Sequence, residues 1–161
     1  FAHHSQTNPR RNYVGLEIKF KPLVQSIRRA RANDSKNMRI VHAEAQSLSE
    51  IFEKEELSNV YIHFPDPWPK RRHSKNRLIS SEFLTMLYKL QKPGSFVEFK
   101  TDSRIYFDWA VERFLESAYR IERQSTDLHN SDWKDENFLT HFEKLWLSKG
   151  RLINYIRVFK D

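Results

Sequence analysis

The chain has 161 residues, 39% of them hydrophobic and 14% aromatic, enough apolar payload for one folded domain despite 30% charged residues. It has no cysteine, which excludes disulfides, thiolate metal sites and cysteine nucleophiles; with no signal-peptide pattern and no apolar run near the roughly 20 residues that span a bilayer, a cytoplasmic protein is expected. A formal net charge of +7 and a pI of about 9.7 point to a polyanionic partner, nucleic acid first, although ribosome-associated and membrane-surface proteins share such a balance.

Taken in chain order, Tyr13 to Ile18 reads as a strand with Glu17 at its end and Gly15 allowing close packing. Pro22 to Ala32 carries Leu23, Ile27 and Ala30 at helical spacing, and its Arg28, Arg29 and Arg31 read as an ordinary exposed helix face. Strands follow at Arg39 to His42, just before Glu44, and at Val60 to Phe64. Ser81 to Gln91 is a covering helix through Phe83, Met86, Leu87 and Leu90, and Ser95 to Thr101 is the fourth strand. Asp102 or Ser103 then caps a helix whose buried stripe is Tyr106, Phe107, Ala110, Val111 and Phe114. Two further strands, Ala118 to Gln124 and Leu152 to Phe159, flank a polar stretch containing Asp127, Asn130, Asp132 and Asp135 and a short helix near Phe138 to Ser148. This alternation argues for a parallel α/β sheet.

In an open parallel sheet ligands bind beyond the carboxyl ends of the strands, and Glu17, Glu44, Asp66 and Asp102 each fall at such an end. One such acid reads as a helix cap or a loop acid; four in series read as a site. Glu17 is placed to accept from both hydroxyls of a ribose. The most specific segment is Phe64-Pro65-Asp66-Pro67-Trp68-Pro69, where prolines at alternate positions fix φ and drive Asp66 and Trp68 away from the α region. Such a stiff turn presents one carboxylate and one aromatic ring in fixed relation, as recognition of a planar base requires. Lys70, Arg71, Arg72, His73, Lys75 and Arg77 follow at once, dense enough to neutralise several phosphates.

The run from Phe64 to Arg77, FPDPWPKRRHSKNR, closely resembles the signature of the bacterial tRNA guanine-N7 methyltransferases. Tyr13 to Ile18, Lys100-Thr101-Asp102 and Thr140-His141-Phe142-Glu143 also look like motifs of that family. The resemblance implies a class I, Rossmann-like methyltransferase: one α/β domain over residues 1–161, with a mostly parallel sheet and helices on both faces. It would use S-adenosylmethionine, with S-adenosylhomocysteine as product and no metal, to methylate a guanine in the variable loop of tRNA. By the same resemblance Glu17 would meet the cofactor ribose, Glu44 would lie beside its adenine, and Asp66 would serve its methionine end as well as catalysis. Lys70, Asp102, Thr140, His141, Phe142 and Glu143 would shape the guanine pocket. Arg72, His73, Ser74, Lys75, Asn76 and Arg77 would meet the RNA. Glu44 stands where the family more often has Asp, which keeps the acceptor chemistry. The family's first strand and Gly-rich loop have no counterpart here, and a native N-terminus extending before Phe1 is expected, because the absent strand would pair two central ones.

Guanine N7 carries an in-plane lone pair, so the reaction asks for orientation rather than a strong base, and for a carboxylate, Asp66 or Asp102, to stabilise the charge that grows on the purine. Two other readings fit: a non-catalytic RNA-binding remnant of a methyltransferase, or a Rossmann methyltransferase acting on another substrate. His3 and His4 are adjacent and the other histidines scattered, which does not suit a metal site. Trp109, Trp133 and Trp146 read as packing residues, and a monomer or weak homodimer is expected.

Overall fold

The computed structural model describes residues 2–161, the side chains of residues 2 and 3 excepted, so the readings of Phe1 and His3 fall outside it. The chain forms two compact units, residues 1–48 and 49–161.

In the first unit, helix α1 (Ala2–Thr7) leads to strand β1 (Tyr13–Leu16), helix α2 (Phe20–Ala32) and strand β2 (Met38–Val41). β1 and β2 pair in parallel, from Tyr13 opposite Met38 to Leu16 opposite Val41. The spacing of Leu23, Ile27 and Ala30 turns one side of α2 inward: Leu23 is buried, Ile27 and Ala30 are half-buried, and Arg28, Arg29 and Arg31 face solvent. Asn37, just before β2, donates from Nδ2 to the carbonyls of Ser5, Asn8 and Arg11 at 3.0, 3.3 and 2.8 Å and so ties the turn before β1 to the loop after α2.

In the chain α3 (Leu48–Ile51) starts on the last residue of the first unit, and the second unit contains β3 (Val60–His63), α4 (Ser81–Leu90), β4 (Ser95–Thr101), α5 (Arg104–Leu115), β5 (Arg120–Ser125), α6 (His141–Leu147) and β6 (Asn154–Lys160). Its sheet has the order β3-β4-β6-β5. Parallel pairing, as read from the alternation of elements, holds for β1 with β2 and for β3 with β4, whereas β6 enters antiparallel to both β4 and β5. The register puts Ile62, Phe99 and Ile156 side by side, with Val97 beside Val158. These buried residues pack beneath the stripe of α5: Phe99 meets the Tyr106 ring at 5.3 Å, and Phe107, Ala110 and Phe114 are fully buried. Burying each large side chain of this kind contributes about 2 kcal/mol. Ser80 and Ser103 cap α4 and α5, accepting from the amides of Phe83 and Tyr106. The Tyr106 hydroxyl accepts from the Ile79 amide at 3.1 Å, and burial pushes this phenol up to about 12.

The opposite face of the sheet is polar at its centre. His63, Glu98, Lys100, Tyr155 and Arg157 line it, and α6 reaches it through the fully buried Glu143.

Candidate active site

β3 and β4 run in parallel and end side by side, with His63 opposite Lys100, and the Phe64 amide donates to the Lys100 carbonyl at 2.8 Å. The Pro-Asp-Pro-Trp turn leaves the end of β3, and Asp102 leaves the end of β4. Both aromatic residues of the turn that precede a proline, Phe64 and Trp68, adopt positive φ, 54° and 43°. Bulky residues rarely occupy this region, and the surrounding structure must hold them there.

What holds Trp68 there is Arg77. Its side chain is buried, donating from Nε to the Pro67 carbonyl at 3.1 Å and from Nη2 to the Trp68 carbonyl at 3.3 Å, while the guanidinium lies over the Tyr106 and Trp109 rings at 5.4 and 5.2 Å. The expectation that Arg77 faces RNA does not fit this burial: two of its donors are engaged by the turn and its planar face by aromatic rings. The other residues of the basic run form a short 3-10 segment, Arg71–Asn76, with Arg72, Lys75 and Asn76 exposed and His73 and Ser74 half-buried. Arg72 Nε donates to His73 Nε2 at 3.2 Å, and the His73 ring meets the edge of Trp68 at 5.9 Å. Asp66 and Lys70 are exposed, Asp66 at the apex of the clamped turn and Lys70 immediately before the 3-10 segment.

Around the end of β4 the structure gathers Asp102, Thr140, Phe142 and Glu143 with residues that the sequence reading passed over. Arg151 Nη1 donates to Asp102 Oδ2, and the Arg151 guanidinium lies 4.5 Å over the Trp146 ring. Thr140 and Glu143 form a reciprocal cap on α6: Thr140 Oγ1 accepts from the Glu143 amide at 3.1 Å, and Glu143 Oε2 accepts from the Thr140 amide at 2.8 Å. This cap presents the half-exposed Phe142 ring 6.0 Å from Phe64 and leaves His141 exposed beside it. Glu143 also accepts from Asn137 Nδ2 at 2.9 Å and lies 3.6 Å from the buried Lys100 ammonium, which donates to Asn137 Oδ1. Burial opposes the charge on Glu143, yet Lys100 and these hydrogen bonds hold its carboxyl below the usual range.

Beneath lies a second carboxylate, Glu98. It accepts from His63 Nε2 and Arg157 Nη2, each at 2.9 Å, and lies 3.7 Å from Lys100. Burial works against its charge, but His63, Lys100 and Arg157 overcome it and bring the group to about 2. Burial also holds His63 below its ordinary value, against the pull of Glu98. The readable signal was a pair of ionisable residues, Glu98 and Lys100, alternating with apolar ones in an otherwise core-forming strand.

In the first unit, Glu17 and Glu44 follow the carboxyl ends of the paired strands β1 and β2. Glu17 Oε1 accepts from the Lys19 amide at 2.8 Å, fixing the carboxylate close to the strand end. Glu44 is exposed and precedes a short 3-10 turn without using its side chain as the cap. Two carboxylates following neighbouring strand ends, Glu17 held by its hydrogen bond and Glu44 exposed, suit the hydroxyl and amine donors of a nucleoside. A cavity of about 380 Å³ in this unit lies elsewhere, against α2 and β2, lined in part by Ile27, Ala30, Met38 and Ile40.

A family model described as "Putative methyltransferase" matches residues 1–155. The chain is 51% identical over 160 residues to a tRNA (guanine-N(7)-)-methyltransferase of Bdellovibrio bacteriovorus, covering 99% of this chain and 77% of that protein. It is 34% identical over 154 residues to the enzyme of the same name from Lachnoclostridium phytofermentans, covering 96% and 72%. Among solved structures it is similar to a SAM-dependent methyltransferase from Aquifex aeolicus, with a TM-score of 0.61 and 8% identity over 93% of this chain and 69% of that one. That likeness shows a Rossmann-like fold.

Proposed function

Because the chain belongs to the tRNA (guanine-N(7)-)-methyltransferase family, we propose that the protein transfers the methyl group of S-adenosylmethionine to N7 of a guanine in the variable loop of tRNA, in the cytoplasm. We read residues 1–161 as one domain, since the similarity to the Bdellovibrio enzyme runs through both units. When bound, the sulfonium cofactor supplies the electrophilic methyl group. Glu17 would accept from its ribose hydroxyls and Glu44 would lie beside its adenine, in keeping with their places at neighbouring strand ends. Asp66 would meet the methionine end.

The single observation that carries this reading is the Arg77-clamped turn, which fixes the Asp66 backbone beside the strand end that bears Asp102. Guanine N7 attacks with its own lone pair, so the task of the chain is to orient the base for in-line displacement and to meet the charge that develops on it. We assign Asp66 to accept from the N1 and N2 donors of guanine as that charge grows, a role worth roughly 3 to 4 kcal/mol. Asp102 is already held by Arg151 and serves as the second, positioning carboxylate. Phe142, with Phe64 behind it, offers a ring to the base, Thr140, Glu143 and His141 hold that edge of the pocket, and Lys70 stands at its mouth. Arg72, Lys75 and Asn76 offer solvent-facing donors to the RNA, with His73 and Ser74 beside them.

Nucleoside mass spectrometry of unmodified tRNA, incubated with the protein and isotope-labelled S-adenosylmethionine, tests the reading. Labelled 7-methylguanosine is expected, and Asp66→Ala should abolish it while leaving tRNA affinity within about threefold. A label on any other nucleoside would refute the substrate; normal turnover by the variant would refute the role of Asp66.

A further inference from the structure

The net charge is unevenly placed. Residues 1–48 carry nine Lys or Arg against three Asp or Glu, whereas residues 49–161 carry nineteen against eighteen. Six of the seven net positive charges therefore belong to the first unit, whereas the basic run that follows the Pro-Asp-Pro-Trp turn belongs to the second. Within that unit the charge centres on α2. This helix has four cations, Lys21, Arg28, Arg29 and Arg31, and no acid. Lys21, Arg28, Arg29 and Arg31 are all exposed, and among the described residues no carboxylate forms an ion pair with any of the three arginines. The Asn37 hydrogen bonds hold the exposed Arg10 and Arg11 close to the loop after α2, where the exposed Lys36 pairs with Asp34 at 3.6 Å.

Helix stability accounts for only part of this pattern. Arg29 and Arg31 lie in the last turn, where cations complement the helix dipole, but Lys21 lies in the first turn, where a cation is unfavourable, and no acid offsets it. A solvated face kept for solubility gains most from mixed signs, and this one is all positive. The guanidinium groups are left with their forked donors free, the geometry that engages phosphate oxygens in pairs.

We propose that the outer face of α2, with Arg28, Arg29 and Arg31 at its centre and Arg10, Arg11 and Lys36 at its end, is a second RNA surface that binds tRNA phosphates. It takes no part in the chemistry. It supplies the long-range attraction that the nearly neutral second unit lacks, and it sets the affinity and capture rate of tRNA rather than the rate of methyl transfer.

This proposal rests on the reading of tRNA as substrate, and the test separates the two. The affinity of unmodified tRNA is measured across a salt series for the wild-type protein, for the triple variant Arg28→Gln, Arg29→Gln, Arg31→Gln, for the triple change of the same residues to Lys, and for Arg28→Gln alone, together with methylation kinetics and S-adenosylhomocysteine affinity. For the glutamine triple variant, low-salt affinity should fall about tenfold or more, and the slope of log K against log salt should shrink by about two to three, near 0.7 to 0.9 per lost phosphate contact. Arg28→Gln should remove about one of these steps. The kcat at saturating tRNA and the affinity for S-adenosylhomocysteine should stay within twofold, and the lysine triple variant should keep most of the slope. An unchanged slope in the glutamine variants, while wild-type protein binds and methylates tRNA, overturns the second surface and leaves the function standing. Loss of binding to phosphatidylserine vesicles with no change on tRNA likewise overturns it, assigning the face to a membrane. Failure of wild-type protein to bind or methylate tRNA overturns the functional reading, and this proposal falls with it.

Discussion

Arg77 shows how a residue's neighbours in sequence can misstate its surroundings. In the chain it closes a run of cations, and charge density alone assigns it to RNA with the rest. In the structure its guanidinium is buried among two aromatic rings and two loop carbonyls of the turn. The proline spacing made the stiffness of the turn legible, and the bias of residues before proline away from the α region was legible too. That Trp68 would enter the left-handed region was not, because this depends on Arg77 reaching back 9 residues to the Trp68 carbonyl. Replacing Arg77 by Met keeps most of the length and removes the donors and the charge. The expected cost is about 2 to 3 kcal/mol in denaturant unfolding, from charged hydrogen bonds and cation–π contact. If Arg77 positions the turn, kcat should fall with tRNA affinity almost unchanged, and Arg77→Lys should recover only part of it, since an ammonium lacks the planar fork. A loss of tRNA affinity at full stability would instead return Arg77 to the RNA surface.

At the scale of elements, local rules were most legible where burial and capping agreed. β4 spans Ser95–Thr101 as its alternation with flanking turns predicts, and α5 begins after the Ser103 cap with Tyr106, Phe107, Ala110 and Phe114 buried. The reversal of β6 was not legible, since a strand's pattern of burial carries no sign of its direction. The 3-10 segment Arg71–Asn76 was hidden in the basic run, which reads as charge and not as structure. α6 came out shorter than its apolar pattern, and at 7 residues it cannot hold itself together without its cap. The residues that look in sequence like substrate contacts, Thr140 and Glu143, are therefore first of all the device that starts this helix and so places Phe142. Thr140→Ala should cost about 1 kcal/mol in unfolding, and by loosening Phe142 it should raise KM for tRNA several-fold at similar S-adenosylhomocysteine affinity. Thr140→Ser keeps the acceptor and should restore both. A KM rise that persists in the Ser variant would point to the lost methyl group and not to the cap.

At the scale of the whole molecule, the total charge was legible and its meaning was not, because only the division of the chain into two units shows that the surplus lies almost wholly in one of them. The buried polar layer of the second unit was equally hidden: Glu98, Lys100 and Glu143 come from two separate elements, and nothing in their spacing announces that they meet. This layer ties stability to pH. The Glu98 carboxyl is at about 2 in the folded protein against an ordinary 4.5, so folding favours its ionised form. The stability this contributes is fully present above pH 4.5 and is lost as pH falls towards 2; by linkage it amounts to about 3 kcal/mol. His63 acts in the same direction over an earlier window. Burial holds it below its ordinary value in the fold, so once pH falls below 6.5 the unfolded chain takes up a proton more readily than the folded one. Urea midpoints measured from pH 7 down to pH 2 should therefore fall in two stages. In Glu98→Gln the stage below pH 4.5 should flatten, and the protein should be less stable at pH 7 by about 3 kcal/mol, because Arg157 and Lys100 are left in a buried layer without that partner. Wild-type and variant curves that run parallel through the acid range would mean that Glu98 is not the group whose ionisation the fold depends on.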